Sequence, residues 1–152
     1  MKKKIQWGTV FLLVIYLILL AYVCFWSKAY GRTVLQKTYH YNLIPFREIV
    51  RFYTYREIVG FKAYALNLFG NIIAFIPFGF MVPILNWRCR QMEKVACISF
   101  YLSITIECIQ FISRVGAFDV DDLILNTLGG ILGYCVLCVA NQIRRCWFGQ
   151  IW

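Results

Sequence analysis

The sequence predicts an all-α integral membrane protein of about four transmembrane helices, with an interfacial helix in the first extracytoplasmic loop. Three observations predict it. The chain is 61% hydrophobic and only 15% charged, against about 45–50% and about 25% in soluble domains. It offers four apolar runs, residues 5–26, 66–85, 95–112 and 123–143, each near the roughly 20 residues that a membrane crossing needs. Little material remains for a soluble unit, so residues 1–152 read as one membrane domain.

The first run follows Lys2-Lys3-Lys4 and ends in Cys-Phe-Trp-Ser-Lys-Ala, which lacks a small-x-small cleavage site. The expectation is an uncleaved first helix with a cytoplasmic N-terminus. The longest polar interval follows, from Ser27 to Ala65. Within it, a helix is expected to start near Pro45, because proline suits a first helical turn. Phe46, Ile49, Val50 and Tyr53 would share one face, with Arg47, Arg51 and Thr54 on the flank. That is the pattern of a helix lying among headgroups.

The second run opens on Asn67 and Asn71, four residues apart and so stacked on one helix face. Pro77 removes a backbone donor and should kink the helix. A short link carrying Arg88, Arg90 and Lys94 leads to the third run, and its basic density favours the cytoplasmic side. The third run ends with Glu107, Gln110 and Arg114 at i, i+3, i+7. A membrane boundary near Ser113 would put Glu107 about 9 Å inside, at 1.5 Å per residue. A carboxylate at that depth either protonates or pairs, and Arg114, folding back or acting through Gln110, is the nearest cation. Along the fourth run Asp122, Asn126, Gly129 and Gly133 form a single stripe. Its Gly-x-x-x-Gly spacing allows close approach of another helix and offers a route to a homo-oligomer. Asp121 and Asp122 also suit the positive end of the helix dipole. The chain closes on Arg144-Arg145, again a cytoplasmic signal.

With four crossings, the start of the second, the end of the third and the start of the fourth lie on one side of the membrane, opposite the termini. Four of the seven acids, Glu107, Asp119, Asp121 and Asp122, fall in that zone. Ionisable groups at membrane depth are costly and tend to face a bundle interior or a water-filled cavity. The working site is therefore expected there.

Several chemistries are excluded. A formal net charge of +9 is spread over loop edges rather than gathered on one face as nucleic-acid binding requires. One histidine, His40, allows no zinc-finger or His-Glu-x-x-His pattern and no Ser-His-Asp set. There is no Gly-x-Ser-x-Gly elbow. The seven cysteines, including Cys135-x-x-Cys138, lie mostly inside apolar runs and read as packing residues.

Four ordered motifs then resemble a known family. They are Asn42-Leu-Ile-Pro-Phe, Asn67-Leu-Phe-Gly-Asn71 continuing to Pro77-Phe-Gly79, Glu107-x-x-Gln110 with Arg114, and Asp119-Val-Asp-Asp122-Leu-Ile-Leu-Asn126-Thr-Leu-Gly129-Gly130. In order and spacing, over roughly residues 42–134, they resemble the VanZ-like family. The resemblance implies a multi-pass protein of the bacterial cytoplasmic membrane. The founding member is associated with reduced susceptibility to teicoplanin, a lipid-tailed glycopeptide that binds cell-wall precursors.

Three functions compete at this point. As an envelope factor, the protein would bind a lipid-tailed or lipid-linked molecule, a cell-wall precursor or the glycopeptide itself. Asn67, Asn71, Gln110 and Asn126 would supply hydrogen bonds, and Arg114 would hold a phosphate or carboxylate. As an intramembrane enzyme on a lipid or precursor, it would use Glu107 as general base. Asp119 and Asp122 could then hold a divalent cation; no other cofactor is expected. As a scaffold, its polar residues would only fix helix packing.

Overall fold

The computed structural model describes residues 2–26, 38–55 and 61–148. Four long helices form the bundle: α1 (Lys2–Trp26), α3 (Phe61–Leu85), α4 (Met92–Ile112) and α5 (Val120–Phe148). All four are long and apolar enough to cross a membrane. Their helical bounds extend a few residues beyond the apolar runs. Between α1 and α3 lies the short α2 (Arg47–Thr54), and a 3-10 turn at Trp87–Cys89 joins α3 to α4.

Helices α3 and α5 form the central pair, and glycine explains how. A Cβ on Gly129 would sit 2.2 Å from the Ile72 carbonyl oxygen, and one on Gly133 would sit 2.1 Å from that of Ile76. The glycine stripe thus meets the protein's own second span. Gly79 and Gly130 close the same seam, where a Cβ on Gly79 would fall 1.9 Å from the Gly130 oxygen.

Helix α1 leans on α3 and α4 through a core of Leu20, Phe75, Phe78 and Ile106. Phe75 and Phe78 meet edge to face, with ring centroids 6.3 Å apart. Helix α3 runs unbroken through Pro77 and also Pro83. One turn before Pro77 the Tyr16 hydroxyl donates to the Ala74 carbonyl at 2.7 Å, so α1 docks where the proline disturbs the backbone ladder. Cys135 and Cys138 are separate, exposed, free thiols.

Two short strands have no counterpart in the sequence pattern. Tyr41–Asn42 (β1) pairs in parallel with Phe118–Asp119 (β2), Tyr41 opposite Phe118 and Asn42 opposite Asp119. Helix α2 starts at Arg47, two residues after Pro45, because Phe46 takes a left-handed conformation, φ 65°. Phe46, Val50 and Tyr53 are exposed as an outward apolar row, and Ile49 is half-buried.

Candidate functional site

Helix α4 buries a polar stripe of Ser99, Ser103, Glu107 and Gln110, whose spacing of four, four and three returns each residue to one face. Glu107 and Gln110 are each 2% exposed. Facing them are Asp122 and Asn126 from the start of α5 and Asn71 from α3. Asn126 donates to the Ser103 hydroxyl at 2.9 Å, and the Asn71 amide donates to Asp122. The last turns of α1 close the fourth side, where Gln110 Nε2 donates to the Cys24 carbonyl at 2.9 Å.

These groups surround a cavity of about 50 Å³, walled by Leu20, Val23 and Cys24 on α1, by Ala74 and Phe75 on α3, and by Ile106 on α4. At about 10–15 Å³ for each water-sized sphere, it accepts a small polar group rather than a whole lipid headgroup. Glu107, Asp122, Asn71, Gln110 and Asn126 provide its polar wall, and no lysine or arginine among the described residues lines it. Gln110 Oε1 is a buried acceptor without a hydrogen-bond partner among the described residues. A buried unpaired acceptor costs about 1–3 kcal/mol, so the cavity favours an occupant that brings an N–H or O–H.

The remaining acids are arranged differently. Asp119 precedes α5 and caps it, its Oδ1 accepting the Asp121 N–H at 2.9 Å. The same oxygen accepts the Asn42 amide at 3.0 Å. The Asp119 N–H donates to Glu107 Oε2 at 3.1 Å, which joins the cap to the cavity. Burial pushes the Asp119 carboxyl above its ordinary value, against the lowering effect of the Asp121 N–H and the Asn42 amide. Asp121 turns toward α2. Its carboxylate accepts the backbone N–H groups of Phe46, of Glu48 at 2.8 Å and of Ile49 at 3.2 Å.

Of the residues expected from sequence, Asn71, Glu107, Gln110, Asp122 and Asn126 meet at one cavity, while Asp119 stands one layer above it. The Asn67 side chain lies outside the described residues. Arg114 departs from the expected face because α4 ends at Ile112. Its own backbone is left-handed, φ 57°, and its guanidinium lies over the Tyr39 ring, 4.6 Å from the centroid. Asp119 and Asp122 bond to different partners, Asn42 and Asn71, and no group of three or more potential metal ligands occurs among the described residues. Sequence reasoning missed Asn42, Ser103 and the latch made by Asp121. The Asn42-Leu-Ile-Pro-Phe motif was the available signal for the latch, but its partner lies some 75 residues on.

Comparison with known proteins gives the family. The VanZ/LLP1 family pattern matches residues 13–141, which takes in the second and third spans, most of the first and fourth, and every residue named around the cavity. The chain belongs to the VanZ/LLP1 family. Within that family it is similar to Protein VanZ of Enterococcus faecium, at 33% identity over 134 residues, covering 86% of this chain and 74% of the relative. No solved structure matches significantly. The VanZ/LLP1 match includes both the latch residues and the cavity residues, so it does not separate the two roles; geometry does.

Proposed function

We propose that this protein is an envelope factor of the bacterial cytoplasmic membrane, with its termini in the cytoplasm and its polar cavity toward the outside. It binds the polar part of a lipid-tailed or lipid-linked envelope molecule and lowers susceptibility to teicoplanin-type glycopeptides. The observation that carries this reading is the unpartnered Gln110 Oε1 in an acid- and amide-lined cavity between membrane-spanning helices.

The cavity chemistry narrows the ligand. Carboxylates and amide oxygens with no cation alongside among the described residues recognise donors: hydroxyls, amide N–H groups or an ammonium. Anionic groups are disfavoured there, and Arg114, exposed at the loop end, would meet an anion outside the cavity instead. Apolar walls on α1 and α3 lead from the cavity to exposed helix faces, where an acyl tail can lie.

The test is teicoplanin susceptibility in a sensitive Gram-positive host producing the wild type, Glu107→Gln or Asp122→Asn at membrane levels matched by immunoblot. Vancomycin, without the lipid tail, is run in parallel. Protection against teicoplanin alone, lost in both variants, is the expected result. Protection retained in both, or none from the wild type, would sink the proposal.

A further inference from the structure

At the opposite end of the bundle is a second cavity, independent of the first, with the reverse chemistry. It measures about 140 Å³ and lies between the end of α3 (Pro83, Ile84), the link residue Arg90, and the last turns of α5, including Asn141 and Arg145. Among the described residues, two arginines and no acid line it. Arg90 is held in place from two directions. Its Nε donates to the Pro83 carbonyl at 3.2 Å, and its own carbonyl accepts the Tyr134 hydroxyl at 3.1 Å. These bonds leave its two terminal guanidinium nitrogens for a ligand.

The level in the membrane is informative. The second span ends at Leu85 and the fourth at Cys146, so this cavity sits at the headgroup boundary. Buried Leu137 and Ile84 carry its wall inward toward the acyl region. A paired-arginine pocket between helices at that depth has the chemistry of an anionic headgroup site, and guanidinium forks match phosphate oxygens. By volume it has room for roughly ten water-sized spheres, enough for a phosphate and its ester oxygens.

We propose that this cavity binds the phosphate of an anionic phospholipid, with Arg90 and Arg145 as its ligands and Asn141 as an added donor. Lipid bound there ties α3 to α5 at the end where the glycine seam has finished. The inner leaflet supplies such lipids if the termini are cytoplasmic, which connects this site to the orientation given above.

The full-length protein, purified in a neutral detergent, would be titrated with phosphatidylglycerol, with phosphatidylcholine and with inorganic phosphate, following thermal unfolding. Phosphatidylglycerol should raise the unfolding temperature of the wild type, and the other two should not. Arg145→Gln should weaken the phosphatidylglycerol response by about tenfold or more, the size of one lost charged hydrogen bond. Arg90→Gln should do the same with an added loss of basal stability, which is why Arg145 is the cleaner variant. An equal phosphatidylglycerol response in wild type and Arg145→Gln would overturn the site. A response to inorganic phosphate as large as that to phosphatidylglycerol would overturn the lipid as its occupant.

Discussion

Asp121 and Glu107 are equally hidden from solvent, 1% and 2% exposed, and both belong to the acid-rich zone around the start of the last helix. Asp121 uses both carboxylate oxygens on backbone N–H groups of Phe46, Glu48 and Ile49. It thereby fastens the start of α2 to the bundle, with Asn42 and Asp119 as a second fastening. Glu107 and Asp122 instead form walls of a cavity that also holds an unpartnered glutamine oxygen. The difference teaches that an acid at membrane depth need not be a working group. What separates a latch from a site is whether backbone N–H groups take up both carboxylate oxygens, as at Asp121, or a cavity remains beside the carboxylate, as at Glu107, whose Oε2 also accepts the Asp119 N–H.

The largest effect expected from this comparison is on the latch. Asp121→Ala leaves three backbone donors unpaired, at about 1 kcal/mol or more each, so it should destabilise the protein by about 3 kcal/mol. Thermal unfolding in detergent and proteolysis within residues 38–55 would measure it; a variant as stable and as protease-resistant as wild type would break the distinction. Asn42→Ala comes next, with a loss of about 1.5–3 kcal/mol for its bond to the Asp119 carboxylate, and the Ile44 N–H loses its acceptor as well; the same two readouts would show it.

The cavity side should behave in the opposite way. Gln110→Leu removes the unpartnered oxygen together with the bond to the Cys24 carbonyl, and these effects roughly cancel, leaving stability within about 1 kcal/mol of wild type. Teicoplanin protection should nevertheless fall sharply. A large loss of stability with protection unchanged would place Gln110 among the latches.

The smallest effect concerns pH. Burial raises the Asp119 carboxyl, so the folded state takes up its proton more readily than the unfolded state. Its contribution is full below the unfolded value of about 3.9 and is lost as pH rises through the higher folded value. Unfolding temperature should therefore climb modestly as pH is lowered through that window, and Asp119→Asn should remove that part of the slope.

Much of this was legible in the sequence, for identifiable reasons. The four spans follow from long apolar runs, and helix alternation brings Asn71, Glu107, Gln110, Asp122 and Asn126 to one end. Periodicity failed wherever a helix stopped. Arg114 shares a face with Glu107 only if α4 continues, and it ends at Ile112. Asp119 and Asp122 look like a pair at i, i+3, yet Asp119 precedes the helix and bends back to cap it. The strand pair of residues 41–42 with 118–119 is too short to leave any repeat. Asp121 was visible as a helix-start acid, but its partners on α2 are a long-range contact that no local pattern encodes. Gly129 and Gly133 correctly signalled close approach, and the helix that approaches is the chain's own.

The most direct test fills the cavity without touching a polar group. Ala74 lines it, and Ala74→Val adds two methyl groups to a space of about 50 Å³. The measurement is teicoplanin susceptibility of cells producing Ala74→Val at wild-type membrane levels, with the unfolding temperature of the purified variant recorded alongside. The cavity account predicts lost protection with unfolding within a few degrees of wild type. Full protection from a protein whose cavity is occupied by valine would contradict it.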